Sequence, residues 1–202
     1  IVGLSPDALD WAIKKAFGIS SARVTLIRRG ADPFDDDTGP INAIVPDPVT
    51  IPSHHGPDVR TIIPDLDIVT TALIVPTTLM HVHTLNVRLN MAATAEKVLD
   101  ILRNTPRIIL VDADQRITST AKIMEMARDL GRKRSDLFEL AVWKNSVSVL
   151  NGNELFLMQA VHQESIVVPD NVDCIRAMMG LETDPVKSME KTDEKLGIKK
   201  WW

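Results

Sequence analysis

The hydrophobic period of this chain changes several times along its length, and each change marks an element. Ser5-Pro6-Asp7 offers an N-cap, a proline for the first helical position and an acid for the first turn, and apolar residues then recur at Leu9, Ala12, Ile13, Ala16 and Phe17. That is the spacing of one helix face, and Gly18 ends it. Residues 22–28 alternate and are rich in β-branched side chains, so they predict a strand that delivers Arg28-Arg29 to its C-terminal end. Residues 67–75 are almost continuously apolar, the pattern of a strand buried on both faces. From 79 to 89 the period returns to two, which places His81, His83, Leu85, Val87 and Leu89 on one face.

Residues 30–57 are dense in proline and glycine and predict a long loop, a feature compact domains keep mainly for function. Gly56-Pro57-Asp58 starts a short helix through Ile63. Downstream, the periodicity predicts helices over 94–103, 118–130, 169–179 and 186–196, and strands over 107–111, 138–143, 146–150 and 154–160. Hairpin-length turns fall at Lys144-Asn145 and Asn151-Gly152-Asn153. The sum is an α+β domain, a mixed, largely antiparallel sheet covered by helices.

Composition narrows the function classes. With 202 residues, 45% hydrophobic and 25% charged, the chain can bury one substantial core. A net charge of −4 gives no chain-wide attraction for phosphate backbones, and the longest basic runs are Arg28-Arg29 and Arg132-Lys133-Arg134, so no nucleic-acid partner is expected. One cysteine, Cys174, excludes an intrachain disulfide framework and a multi-cysteine zinc module, which fits a cytoplasmic setting. No apolar run approaches the roughly 18 residues of a membrane span, so no membrane partner is expected. The first residue is Ile1 rather than Met, which suggests a natural polypeptide that begins further upstream. No Gly-x-Gly-x-x-Gly follows a strand and no Walker loop is present, so a dinucleotide would be held mostly by something outside these residues.

The candidate chemistry is concentrated in histidine and arginine. All five histidines occur in three places: His54-His55, His81-Val82-His83, and His162. Imidazole, with an ordinary pKa of about 6.5, trades protons near neutral pH. Adjacent histidines between Ser53 and Gly56 favour function over an ordinary loop role. His81 and His83 present their rings to one side, as two metal ligands would, or else one is buried and hydrogen-bonded while the other faces a cleft. No metal is expected, because few acids and no cysteine share that face. Arg28-Arg29 would by default be a solvated pair, but beside a loop with two histidines it becomes an anion-site candidate, since guanidinium forks match phosphate oxygens. Cys174 recurs with apolar residues at helical spacing and is expected to be a buried structural thiol rather than a nucleophile. Asp35-Asp36-Asp37 reads as a solvated turn, as it lacks the Gly and distal Glu of a calcium loop.

Several segments together carry a family likeness: Arg28-Arg29-Gly30-Ala31-Asp32-Pro33, Gly39-Pro40-Ile41-Asn42-Ala43-Ile44-Val45-Pro46-Asp47-Pro48, Pro52-Ser53-His54-His55-Gly56-Pro57-Asp58, Pro76-Thr77-Thr78-Leu79-Met80-His81-Val82-His83, Ala127-Arg128-Asp129-Leu130-Gly131-Arg132 and Met158-Gln159-Ala160-Val161-His162-Gln163-Glu164-Ser165. In this order, from about Phe17 to Ile198, the chain resembles the archaeal-type (type II) glyceraldehyde-3-phosphate dehydrogenases.

The resemblance implies a catalytic domain over 1–165, with C-terminal helices over 166–202 that would pack on a Rossmann domain binding NADP or NAD. It implies glyceraldehyde 3-phosphate and inorganic phosphate as substrates, 1,3-bisphosphoglycerate as product, and a homotetramer assembled through the sheets. His81 is the implied base, with His54 as rival; Arg28 or Arg29, with His54 and His55, is implied to bind phosphate groups, and Arg29 and Gln163 to lie at the cofactor, while His83 supports the fold or orients its neighbour. The family's nucleophile, the cysteine of a Ser-Cys-Asn-Thr-Thr run, would fall at about position 1 or just before it, where this sequence has Ile1-Val2-Gly3-Leu4. The expectation is therefore a catalytic-domain portion that does not turn over aldehyde alone. Two other classes compete: a non-catalytic phosphate-binding or assembly module derived from the family, and a metal-dependent hydrolase built on His54, His81 and His83.

Overall fold

Helix α1 (Pro6–Phe17) passes through Gly18 into β1 (Ile19–Arg29) in the computed structural model, which describes residues 6–30 and 42–198 and, in α1, side chains from Ala12 onward. Gly18 has φ +66°, and a Cβ there would lie 2.7 Å from the Asn90 side-chain nitrogen, so both backbone and space call for glycine. Then come β2 (Val45–Pro46), α2 (His55–Arg60), β3 (Asp67–Val75), β4 (His81–Leu89), α3 (Ala95–Asn104), β5 (Ile108–Val111), α4 (Thr120–Asp129), β6 (Leu140–Trp143), β7 (Ser148–Leu150), β8 (Glu154–Val161), α5 (Gln163–Met178) and α6 (Pro185–Leu196). The acidic triplet 35–37, the ends 1–5 and 199–202, and the Gly39-Pro40-Ile41 segment lie outside the described residues.

The strands form one sheet in the order β2-β3-β1-β4-β8-β6-β5, with β7 beside β8. β1 with β3 and β5 with β6 are parallel, and the remaining pairs are antiparallel. This is the mixed, largely antiparallel α+β arrangement that the periodicity predicts. The core lies where Ala22, Val24 and Leu26 of β1, Leu85, Val87 and Leu89 of β4, and Leu155 and Leu157 of β8 meet Ile13 and Phe17 of α1 and Val98 and Leu102 of α3. Each fully buried side chain of this size contributes about 2 kcal/mol relative to exposure.

Four expectations change. β3 is not buried on both faces: Ile68, Thr70 and Ala72 are buried, whereas Val69, Thr71 and Leu73 are half-buried, because β-branched residues suit a half-covered pleated face as well as an interior one. Lys144-Asn145 does not close a hairpin. It belongs to a one-turn 3-10 helix, and β6 and β7 each pair with β8. Asn151-Gly152-Asn153 does close one, with Asn151 and Gly152 both at positive φ. Finally, α5 starts at Gln163, not 169, and runs through Pro169; proline removes one N–H from the ladder, a loss the packed helix absorbs. The 165/166 border drawn from the resemblance therefore falls within the first turn of α5. Cys174 is exposed, because α5 turns Ser165, Ile166 and Pro169 inward instead.

The C-terminal helices are tied to the sheet by charge. Arg107, just before β5, donates to Asp193 at 2.8 Å, Asp170 at 2.8 Å and Asp173 at 2.6 Å, and Asp173 also accepts from the Ser188 and Thr192 hydroxyls of α6 at 2.6 Å each. Such a half-buried guanidinium is tolerable because every face of its fork is paired. Among the described residues no helix is long and apolar enough to cross a membrane.

Candidate active site

Strand register assembles the site. β1 and β4 run antiparallel with Leu26 opposite His83 and Ile27 opposite Val82, so the Arg28-Arg29 end of β1 lies beside His81 at the start of β4. β8 places Val161 opposite His81 and Gln159 opposite His83, which brings the first turn of α5 to the same end. β3 lies parallel to β1, and α2, carrying His55, packs on it through Gly56 and Thr70. Met80, immediately before His81, is buried and has φ +66°. A bulky residue in this left-handed region costs about 1–2 kcal/mol, strain that the surrounding packing must hold in order to aim His81.

The sequence-derived candidates Arg28, Arg29, His55 and His81 come together here, close enough for the charges of the other three to act on His81. His83 stands beside His81, ring centroids 6.3 Å apart. His54 is on the rim, exposed and stacked on His55 with centroids 3.9 Å apart. Gln163 is half-buried at the first position of α5, next to Glu164, whose carboxylate pairs with Arg29 at 3.6 Å. Arg28 is ion-paired with Asp47. An anion arriving at this end thus meets two guanidiniums already shared with carboxylates.

His55, His81 and His83 do not titrate near neutrality, contrary to the expectation from the ordinary imidazole pKa. Burial, then Arg28, Arg29 and His55, push His81 down to about 3. Burial, then His81 and His55, push His83 down to about 3. His55 is pushed down to about 4 by burial, His54 and Arg28, against the opposing pull of Asp58 and Asp47. Each charged form would lose hydration and face like charge. At pH 7 all three are neutral rings that accept or donate hydrogen bonds. The Gln159 amide donates to His83 Nδ1 at 3.2 Å, so His83 carries its proton on Nε2. An anion bound between His81 and the arginines would offset their charge and make His81 a stronger base.

His162 is not part of this cluster, although it braces it. It is buried; its Nδ1 lies 2.9 Å from Ser165 Oγ, which donates to Asp136 at 2.8 Å, so the start of α5 is anchored to the loop before β6. Asp47, Ser53, Thr70, Gln159 and Glu164 escaped the sequence reading. Asp47, Ser53, Gln159 and Glu164 lay within runs that carry the family likeness, whereas Thr70 carried no signal. Among the described residues no group of three or more His, Cys, Asp and Glu is arranged to hold a metal, and His83 spends one nitrogen on Gln159. Cys174 donates to Met178 on α5.

A family model described as glyceraldehyde 3-phosphate dehydrogenase, C-terminal domain, matches residues 8–146. A protein from Methanocaldococcus jannaschii named glyceraldehyde-3-phosphate dehydrogenase is 56% identical over 190 residues, covering 93% of this chain and 55% of its own length. One of the same name from Methanococcus vannielii is 58% identical over 192 residues, 94% of this chain and 56% of its own. The chain spans about half the length of the curated relatives it matches. Among solved structures, aspartate semialdehyde dehydrogenase II from Vibrio cholerae superposes with a TM-score of 0.59 at 16% identity, covering 79% of this chain and 54% of that one, a likeness of fold.

Proposed function

The chain belongs to the glyceraldehyde 3-phosphate dehydrogenase family through its C-terminal domain, and on that premise we propose that it is the catalytic portion of a phosphorylating enzyme that converts glyceraldehyde 3-phosphate, phosphate and NAD(P) to 1,3-bisphosphoglycerate. The observation that carries the reading is the convergence of Arg28, Arg29, His55 and His81 at one end of the sheet. Two guanidiniums and neutral imidazole donors suit the phosphate of the substrate and the attacking phosphate, with Arg28, His54 and His55 in that role.

His81 is the base. As a neutral ring it accepts the proton of the attacking thiol, and the phosphates held by Arg28 and Arg29 raise its basicity when substrate is present. Cys174 is not that thiol, since it lies about three turns along α5, about 16 Å from the Gln163 end that meets the site, with its thiol against Met178; on this reading the role falls to a Cys-Asn-Thr-Thr segment of the full-length protein, so these 202 residues alone should not turn over aldehyde. The nicotinamide of NADP or NAD supplies the hydride acceptor. Gln163, half-buried at the first position of α5 beside the Arg29–Glu164 pair, suits its carboxamide.

The division at 165/166 assigns α5 and α6 to the contact with a dinucleotide-binding domain, consistent with the exposed apolar residues Val172, Ile175 and Met179. A cytoplasmic homotetramer assembled through the sheets would cover the outer face around the half-buried Thr25 and Thr71 and the exposed Met158.

The test is phosphate-dependent reduction of NADP or NAD by glyceraldehyde 3-phosphate in the full-length protein, where His81→Ala should slow acylation by about a hundredfold or more. An unchanged acylation rate removes His81 from the role. Phosphate binding without cofactor reduction would make the domain a binding or assembly module instead.

A further inference from the structure

Beneath the histidine pair lie two hydroxyls that the reading above leaves without a role. Ser53 and Thr70 are both fully buried. The Ser53 N–H donates to the Thr70 carbonyl at 2.8 Å, the Gly56 N–H donates to Thr70 Oγ1 at 2.9 Å, and the two hydroxyl oxygens lie 2.8 Å apart. Ser53 Oγ then reaches His55 Nδ1 at 3.1 Å. A Cβ on Gly56 would sit 3.1 Å from Thr70 Oγ1, so glycine is what lets the backbone of α2 approach the hydroxyl this closely.

We propose that Ser53 and Thr70 form a positioning relay that sets which nitrogen of His55 carries the proton, making Nε2–H a donor to an oxyanion of the phosphate class bound at this site. The proposal rests on the phosphate reading of the site. A neutral imidazole has one N–H, so it donates from Nε2 only if Nδ1 accepts. The relay supplies that donor: Gly56 N–H to Thr70, Thr70 O–H to Ser53, Ser53 O–H to His55 Nδ1, each hydroxyl accepting one bond and donating one. The chain begins at a backbone N–H that can only donate.

The same atoms permit a second state. Thr70 Oγ1 also lies 3.1 Å from the Ser53 carbonyl; with its proton turned there, Ser53 donates to Thr70 and accepts from His55 Nδ1–H, and Nε2 becomes an acceptor. A bound anion selects the first state. Around the ring stand His54, Arg28, Asp58 and Asp47. Burial and Arg28 keep His55 neutral, with its pKa at about 4, so the tautomer rather than a positive charge decides how it meets the anion.

The test is nitrogen NMR of His55 in the labelled 202-residue chain, titrated with inorganic phosphate. Phosphate should drive His55 to the Nε2–H form. Ser53→Ala and Thr70→Val should shift the tautomer ratio and weaken phosphate binding about tenfold, the usual size of one lost hydrogen bond to a charged group. Thr70→Ser, which keeps the hydroxyl, should stay within about twofold of the parent. Ser53→Cys, which keeps bulk but donates weakly, takes the place of Ser53→Ala if thermal melting shows the latter unfolded. A tautomer ratio indifferent to loss of the Ser53 hydroxyl overturns the relay even where phosphate binds, as does a Thr70→Ser variant as impaired as Thr70→Val. No phosphate binding by the unsubstituted chain overturns the phosphate reading and the relay's ligand, while the Ser53 comparison without phosphate still decides the relay itself.

Discussion

The inner face of the sheet has two ends made by the same strands. Toward one, β1, β4 and β8 contribute Ala22, Val24, Leu85, Val87, Leu89, Leu155 and Leu157. Toward the other, the same alternation contributes Arg28, His81, His83 and Gln159. The register is unbroken between them, so only the chemistry differs. The apolar end gains free energy from every buried group. The polar end holds imidazoles forced neutral, guanidiniums divided among carboxylates, buried atoms such as His83 Nε2 and Gln159 Oε1 without a hydrogen bond among the described residues, and a strained Met80. A sheet selected for stability alone would continue the leucines and valines; the interruption marks where function overrides the fold's own interest.

The contrast is most sharply tested by large-to-small substitution at the apolar end. Leu89→Ala, at a position 1% exposed, should cost about 2–5 kcal/mol in urea unfolding, the range for a buried leucine whose cavity relaxes only partly. A loss below about 1 kcal/mol would show that this end is not the stabilising one.

Acid should strike the other end. His81 and His83 have native pKa values near 3 against 6.5 in the unfolded chain, so between these limits the unfolded state binds more protons. Stability is fully present above about pH 6.5 and falls as pH drops toward 3, by at most about 1.4 kcal/mol per pH unit for each histidine. Unfolding measured from pH 7 to 5 should show this slope, and replacing both rings by leucine should remove their share of it while leaving that of His55, whose pKa is also pushed down to about 4. A slope unchanged by the double replacement would place the acid sensitivity elsewhere.

Arg28→Ala should raise the phosphate concentration required by the full-length enzyme by about tenfold, the loss of one charge-assisted fork, and an unaltered phosphate dependence would reject Arg28 as a ligand. The smallest effect is the most pointed. Replacing His83 and Gln159 together by leucine removes both partners of a buried hydrogen bond, so stability should move by less than about 1 kcal/mol in either direction. A large loss would mean that the polar end is also a structural necessity.

Much of this was legible in local pattern. The period of two from 79 to 89 placed both histidines on the face that carries Leu85, Val87 and Leu89, because alternation is a property of the extended backbone itself. The helix starts near 94 and 118 were readable for the same local reason, and in the structure the Thr94 and Ser119 side chains cap them. The reading failed where a remote segment decides. Pro169 looked like a helix start, yet the hydrogen bond from Ser165 to Asp136, 29 residues away, holds the turn before it. Cys174 has helical apolar neighbours, yet α5 packs by a different face. Arg28 was taken for an open anion ligand, but the loop returns Asp47 to it.

Fold class, the buried faces of β1 and β4, and family were thus written in the residues themselves, since they follow from short-range periodicity and from the kinds of groups present. Which imidazole is neutral, which carboxylate shares each arginine, and which hydroxyl sets the tautomer of His55 were decided only when distant strands met. A pKa or a hydrogen-bond direction is a difference in solvation and field, and that environment comes into being with the tertiary fold.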